Sequence, residues 1–408
     1  MRLSFFIARR YLVKQKGAFS SFIIRLAIIA TALSVAVMIM ALAVVSGFRY
    51  AISEKLFSFM GHAQVRQYNE TGSASFGADD PIKADPVLFG KLKKTAHIVS
   101  VFPYVIRPVI VQANGLMEGL QMKGVDNTYR FDQGITSFGN PINFSDTVYS
   151  KDMLLSKTTA EKLNVSIGDT IHINFIDENG PRLRRLRVSG LYHSGMEEMD
   201  KFYAVCDMRL LQRINNWPPD SINGYQLTLD DADNADTVAN FVHYNYIIPP
   251  SAVYTTKETY TFIFDWLQIQ GVNSTVLIII MTIVAIINMG AALLILIVDR
   301  TVMIGLLKAL GMPYDSLRNI FLYIAAIVGG AGVLLGNILA LGMCYLQTTY
   351  GIVRLPENSY YMRYAPIRIS WWQVAAVDAG TLVLCLFCMW LPTLYIRRVH
   401  PSKVLQFK

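Results

Sequence analysis

The sequence predicts an α-helical membrane protein with four transmembrane helices and a large α+β ectodomain in two lobes, the second inserted into the first. Three observations predict it. Hydrophobic residues make up 53% of the 408-residue chain and charged ones only 16%, a balance outside that of soluble domains. Residues 26–46 and 275–298 run 21 and 24 residues without a charge, enough to cross a hydrocarbon core about 30 Å thick. The charge is also segregated, because residues 49–271 hold 25 acidic against 21 basic side chains while the rest holds 4 against 16. The net charge of +8 therefore belongs to the flanks of membrane spans and excludes nothing but a nucleic-acid-binding surface.

Residues 1–25 form a basic, amphipathic leader with Arg2, Arg9, Arg10, Lys14, Lys16 and Arg25. The apolar run that follows is too long for a signal peptide, and no small-residue cleavage site ends it, so it reads as a retained span, 26–48. The second span is 274–298, the third 319–346 and the fourth 372–396. An even number of spans places both termini on one side. The basic leader and Arg397, Arg398, Lys403 and Lys408 in the tail (397–408) make that side cytoplasmic. Residues 49–271 then lie across the membrane, with a cytoplasmic loop at 299–318 and an external loop at 347–371.

Within 49–271, short strand-like runs alternate with short helices, which argues for α+β. "HAQVRQY" (62–68) reads as a strand, followed by a polar loop to residue 81. A helix over 85–96 starts at Asp85 as N-cap with Pro86 in its first turn, and the β-branched run after it is a strand. Ser156 caps another helix, Gly168 and Asp169 turn the chain, and "DENG" (177–180) joins two strands into a hairpin. A strand at 224–230, a helix near 233–245 and a strand before Thr256 complete a core lobe of 62–135 and 224–257. Residues 136–223 form the inserted lobe, and stalks flank both ends. Cys206 is the single cysteine of this region, with Cys344, Cys385 and Cys388 in spans, so no disulfide is expected there.

Catalytic signatures are missing: no phosphate-binding GxxxxGK[ST], HExxH, CxxC or GxSxG stretch occurs. The chain is expected not to be an enzyme. His172, His193 and His243 are scattered, and the acidic "GMEEMD" (195–200) lacks the spacing of a cation loop, so it reads as a solvated turn and no metal site is expected. Arg182, Arg184, Arg185 and Arg187 alternate along a strand and are expected in solvent. Gly332 and Gly336 form a GxxxG suited to close helix packing, and Asp378 is an intramembrane acid and hence a functional candidate.

One stretch resists both lipid and water. If the second span continued from Thr275 through Gly311, its 37 residues would make a helix about 55 Å long. It must turn. Asp299 and Arg300 mark the interface, Gly311 stops a helix, Pro313 prevents continuation, and Asp315 or Ser316 suits the next cap. Between them lies a short helix with Lys308 as its one charge. Such a helix either lies half-buried among headgroups or docks into a partner's groove.

"IGLLKALG" after the second span resembles the coupling helix of type VII ABC transporter permeases, which include MacB-type exporters, FtsX-type division proteins and lipoprotein-releasing (Lol) permeases. "SGFRYAISEKLFSFMGHAQV" (46–65), "LNVSIGDTIHI" (163–173), "VSGLYHSGMEEMD" (188–200), "LPENSYYMRYAPIRIS" (355–370) and "RRVHPSKVLQF" (397–407) are together similar to the Lol pattern along essentially the whole chain. The resemblance implies a permease of the bacterial inner membrane with a periplasmic ectodomain. It implies a cytoplasmic ATPase dimer that holds ATP and Mg, a second permease subunit, a lipoprotein cargo and a periplasmic carrier. It assigns the ATPase contact to Met303, Ile304, Gly305, Leu307, Lys308, Leu310 and Gly311. Met40, Val44, Phe48, Phe264, Leu267 and Ile269 are the candidate cargo cavity, with Tyr360 and Tyr361 at its exit. Two departures stand out: Thr301, Val302 and Met303 replace the charge that the family places before Ile-Gly, and the hairpin over 171–190 is short. A homodimer half and the non-capturing member of a heterodimer both remain open, as do a MacB-like exporter and an FtsX-like regulator of a cell-wall hydrolase.

Overall fold

A computed structural model of the chain describes residues 5–8, 10, 18–68, 81–131, 135–144, 149–175, 180, 182–356, 360 and 362–388. Most of the N-terminal leader, the "DEN" of the hairpin tip, Tyr361, the end of the expected fourth span and the tail lie outside them. The chain divides into two compact units, Met1–Arg49 with Leu267–Arg354 and Tyr364–Lys408, and Tyr50–Trp266 with Leu355–Arg363.

Along the chain come α1 (Ala18–Met60), β1 (Ala63–Gln67), β2 (Ile82–Lys83), α2 (Pro86–Lys94), β3 (Ile98–Ala113), β4 (Leu116–Val125), β5 (Thr136–Gly139) and β6 (Asp152–Ser156). Next are α3 (Lys157–Leu163), β7 (Thr170–Phe175), β8 (Arg182–His193), α4 (Glu197–Phe202), β9 (Tyr203–Asp207), α5 (Met208–Ile214), β10 (Ser221–Ile222) and β11 (Gly224–Leu229). The last are α6 (Ala235–Tyr246), β12 (Ser251–Thr255), α7 (Thr256–Thr259), α8 (Thr261–Asp299), α9 (Thr301–Ala309), α10 (Tyr314–Tyr350) and α11 (Trp371–Cys388).

Local chemistry sets several boundaries. Asp85 Oδ1 accepts from the Val87 amide at 2.7 Å, with Pro86 opening α2 as expected. Ser156 Oγ accepts from Thr159 N at 3.0 Å to start α3, and Asn164 in the left-handed region at φ 52° ends it. Thr255 and Glu258 exchange side chain to backbone hydrogen bonds at the start of α7, a capping box that satisfies two amides lacking helical partners.

In the second unit, β12, β1, β11 and the first half of β3 form an antiparallel sheet. Its core joins Ala63, Val65, Val101, Tyr225 and Leu227 to Leu92 of α2 and to Val238 and Val242 of α6. The second half of β3 leaves that sheet for a different one. There β3, β4, β9, β6, β8 and β7 pair in sequence, and β7 pairs back to β3. This six-stranded ring leaves no edge strand among its members. A separate core fills it with Val109, Met122, Leu155, Ile173 and Val188, with Leu163 of α3 and Leu210 and Leu211 of α5.

Among the described residues, three helices, Ser21–Met60, Thr261–Asp299 and Tyr314–Tyr350, are long and apolar enough to cross a membrane, while Trp371–Phe387 is shorter. The expected fourth span, 372–396, coincides with α11 as far as it is described. Its helix packing follows small residues, as the GxxxG predicted. A Cβ on Gly332 would come within 2.8 Å of Thr31 Cβ, and one on Gly336 within 2.7 Å of the Ala32 carbonyl and 2.8 Å of Val35 Cβ. α10 therefore rides directly on α1, where van der Waals contact takes the place of hydrophobic drive. Val35, Ile39, Val333, Ala340 and Val374 form the core at this depth.

Two tests follow from this packing. Gly336→Val pushes α10 off α1 and is expected to cost about 2 kcal/mol, lowering the melting temperature of the detergent-purified chain; Gly342→Ala, where a Cβ meets nothing within 4 Å, leaves it unchanged or raised. Equal melting of G336V and wild type would refute the contact. In the second unit, His62 stacks on Phe57 with centroids 4.4 Å apart, and its Nδ1 accepts from the Leu229 amide at 3.2 Å. Burial pushes its pKa from 6.5 down to about 4. The unfolded chain thus takes up a proton below pH 6.5 that the folded chain refuses until about 4, so stability is full above 6.5 and falls through that window, by on the order of 3 kcal/mol. His62→Asn, which keeps an acceptor at the same place, is expected to flatten the decline in melting temperature between pH 7 and 4.5; an unaltered slope would clear His62 of the effect.

Candidate functional site

The helix α9 is held from inside and bare outside. Gly311, at φ 84°, ends it, and the amides of Gly311 and Met312 donate to the carbonyls of Lys308 and Leu307, each at 3.0 Å. Pro313 takes the cap position of α10, where the sequence pointed to Asp315 or Ser316; Asp315 falls instead in the first turn, where a carboxylate suits the helix dipole. Ile304 and Gly305 are buried, with Met303 and Leu307 half-buried. Ile304, Met303 and Leu307 pack in one cluster with Leu296 and Ile297 of α8 and with Leu317, Ile320 and Phe321 of α10.

The outer stripe is made of other residues. Val302, Leu306 and Leu310 are 63%, 51% and 76% exposed, and their four-residue spacing aligns them on one face. Of the expected ATPase contacts, Leu310 and Gly311 are exposed, Lys308 is half-buried, and Met303, Ile304, Gly305 and Leu307 turn inward. Val302 and Leu306, which share the exposed face with Leu310, were not among the expected contacts. "TVMIGLLKA" has no polar face to set its phase, so periodicity could not separate the two sides.

The candidate cavity residues are distributed over both units. Met40, Val44 and Phe48 on α1 are half-buried; on α8, Leu267 is buried and Ile269 is 57% exposed. Phe264, in the second unit, is half-buried and stacks on Phe57 at 6.0 Å. α1 is covered at the depth of Val44 by the return from α10 to α11. The Arg368 amide donates to the Ala43 carbonyl at 3.0 Å, Ser46 Oγ to Gln373 Oε1 at 3.2 Å, and a Cβ on Gly47 would overlap the Pro366 carbonyl. Gln347 organises this return, accepting from Val353 N at 2.8 Å and donating to the carbonyls of Val353 and Ala365 at 3.2 Å each. Tyr360 is 40% exposed, and Tyr361 lies outside the described residues.

The remaining candidates resolve into braces. Asp378 Oδ2 accepts from Asn337 Nδ2 at 2.8 Å, a polar contact between α10 and α11. Asp200 is not solvated as its acidic neighbourhood predicted. It is buried and accepts from Ser194 N at 2.9 Å, Ser194 Oγ at 2.7 Å and Gly195 N at 3.2 Å, with His193 Nδ1 at 2.9 Å, so it holds the turn before α4. Arg184, Arg185 and Arg187 are exposed as expected, Arg187 also forking onto Asp152 Oδ1 at 2.9 and 2.8 Å, whereas Arg182 is half-buried and donates to the Ile214 carbonyl at 2.5 Å. Among the described residues, no group of three or more metal-ligating side chains converges.

Residues 25–242 match the model of the MacB-like periplasmic core domain, more than half of the chain. The chain belongs to that family. Residues 275–401 match the FtsX-like permease C-terminal domain, so the arrangement of helices and inserted sheet unit is that of a MacB/FtsX-type permease. The chain is 24% identical over 425 residues to the lipoprotein-releasing system transmembrane protein LolC of Xylella fastidiosa strain 9a5c, covering 100% of this chain and 99% of that protein. It is equally, 24%, identical over 425 residues to LolE of Haemophilus influenzae, covering 99% of each. The periplasmic region of MacB from Actinobacillus actinomycetemcomitans overlays at a TM-score of 0.35 and 13% identity, over 49% of this chain and 91% of that one.

Proposed function

We propose that this chain is the permease subunit of an ABC transporter that extracts lipoproteins from the inner membrane and passes them to a periplasmic carrier. The observation that carries this reading is end-to-end similarity to lipoprotein-releasing transmembrane proteins. A short helix with an outward apolar stripe at the place of the coupling helix supports it. The sequence lacks a phosphate-binding loop, so ATP and Mg belong to a separate cytoplasmic ATPase dimer. That partner takes Val302, Leu306 and Leu310 into a groove. Closure of the ATPases pushes α9, and because Ile304 is packed against both α8 and α10, the push moves those helices.

Transport of this kind needs a protein route. At about 0.8 kcal/mol per CH₂, exposing three long acyl chains to water costs on the order of 30 kcal/mol. Met40, Val44, Phe48, Phe264, Leu267 and Ile269 are the apolar positions proposed to shelter them, with a second permease subunit completing the cavity. Equal identity to a LolC and a LolE fits a homodimer or either member of a heterodimer. A MacB-like exporter is the second reading, favoured by the family match over residues 25–242; recovery of a periplasmic adaptor in place of a triacylated lipoprotein with the tagged chain would select it.

Leu306→Asp combined with Leu310→Asp is expected to weaken association with the ATPase about tenfold or more while membrane insertion persists, measured by co-purification from detergent-solubilised membranes. Full ATPase recovery with the double variant would remove α9 from the interface.

A further inference from the structure

Lys123 is a cation in the wrong place for a structural strand. It lies on β4 with 2% of its surface exposed, and burying an ammonium costs several kcal/mol unless its donors are fully used. Its Nζ donates to the Phe59 carbonyl at 2.5 Å and to Gln226 Oε1 of β11 at 2.7 Å, with Tyr129 Oη at 3.5 Å. The same ammonium stands 4.8 Å from the Phe59 ring centroid and 4.9 Å from that of Tyr129. Burial pushes its pKa from 10.5 down to about 7.

The acceptor explains the lysine. Phe59 is in the last turn of α1, where backbone carbonyls have no partner within the helix and the helix dipole favours a cation. The Phe57 carbonyl is taken by Gly61 N at 2.7 Å and the Met60 carbonyl by Gln64 Nε2 at 3.1 Å; Lys123 takes that of Phe59. The start of α8 is fastened nearby. Tyr260, one residue before α8, has its hydroxyl 3.3 Å from that of Tyr203 on β9, and the Tyr203 ring lies 5.2 Å from Phe59. β4 and β9 are paired in parallel, so both helix ends are fastened to one strand pair.

We infer that Lys123 is a positioning residue that pins the last turn of α1 to β4 and β11, so that displacement of this helix is delivered to the sheet instead of being lost by slippage at the helix end. The inference rests on the transport reading for its consequence and on geometry alone for the pin. Lys123→Met keeps the stem and removes the donors. In the full-length chain with its ATPase in nanodiscs, amide exchange over residues 57–61 is expected to rise about tenfold or more in K123M, while β9 exchanges as in wild type. Triacylated lipopeptide released per ATP hydrolysed is expected to fall about tenfold, with the ATPase rate itself within about twofold.

Unchanged exchange at 57–61 overturns the pin, and an unchanged release ratio overturns its role in coupling. Should K123M fail to insert or to melt cooperatively, Lys123→Gln, whose shorter side chain withdraws the donor from the Phe59 carbonyl, carries the same two readouts. A wild-type chain that neither retains an ATPase nor releases lipopeptide overturns the transport reading, and the exchange measurement then still decides the pin.

Discussion

The structure depends on helices being longer than the membrane is thick, α1 and α8 above all. α1 has 43 residues and α8 has 39, about 65 and 58 Å at 1.5 Å per residue, against a hydrocarbon core of about 30 Å. Each must therefore find partners for its backbone and side chains beyond the lipid, and at the far end of each a different chemistry supplies them. Lys123 and Gln64 complete the last carbonyls of α1. Tyr260 and the Thr255–Glu258 capping box fasten the segment from which α8 starts. An apolar helix end with nothing donating to its carbonyls would fray, and no force could pass through it.

What was legible in the sequence was local. Asp85 before Pro86, Ser156 three residues ahead of Thr159, and Gly311 followed by Pro313 specify helix ends by chemistry within one turn, and each stands where expected. The GxxxG of Gly332 and Gly336 was legible for the same reason, since it needs only the absence of a Cβ on one face. The ring was not legible. Its closure depends on β4 pairing in parallel with β9 and β6 with β8, and parallel pairs join residues far apart in sequence with no turn to announce them.

The site failed to be legible where composition was uniform. Along α9 the difference between Ile304, fully buried, and Leu306, half out, is a matter of helical phase. Phase is written by polar residues, and "TVMIGLLKA" has one charge, Lys308, with Thr301 at its very start. Lys123 was hidden for the opposite reason. In "LQMKGV" a lysine at alternating spacing reads as the solvent face of a strand, and only the arrival of α1, some 60 residues earlier in the chain, places a carbonyl where its ammonium is needed. Asp200 was misjudged likewise, because adjacent acids suggest water until the backbone amides of Ser194 and Gly195 are seen converging on one carboxylate.

The division of α9 into an inner and an outer face also bears on how the proposed push on it would be shared. A helix anchored by one neighbour would tilt about that contact, but Ile304 packs in a cluster drawn from both α8 and α10, so under the proposed push the two would move together. α10 in turn puts no side chain of its own against α1 at Gly332 and Gly336, where it meets Thr31, Ala32 and Val35 directly, and close-packed interiors transmit displacement with little loss. The pin at Phe59 is then the remaining link for α1. Apolar side chains at that helix end would hold it against the sheet but let it slide along its axis. A cation shared between a helix carbonyl and a glutamine on the neighbouring strand resists sliding, because each ångström of travel lengthens hydrogen bonds whose strength falls steeply with distance and angle. That directional stiffness is a return on burying an ammonium that leucine could not supply.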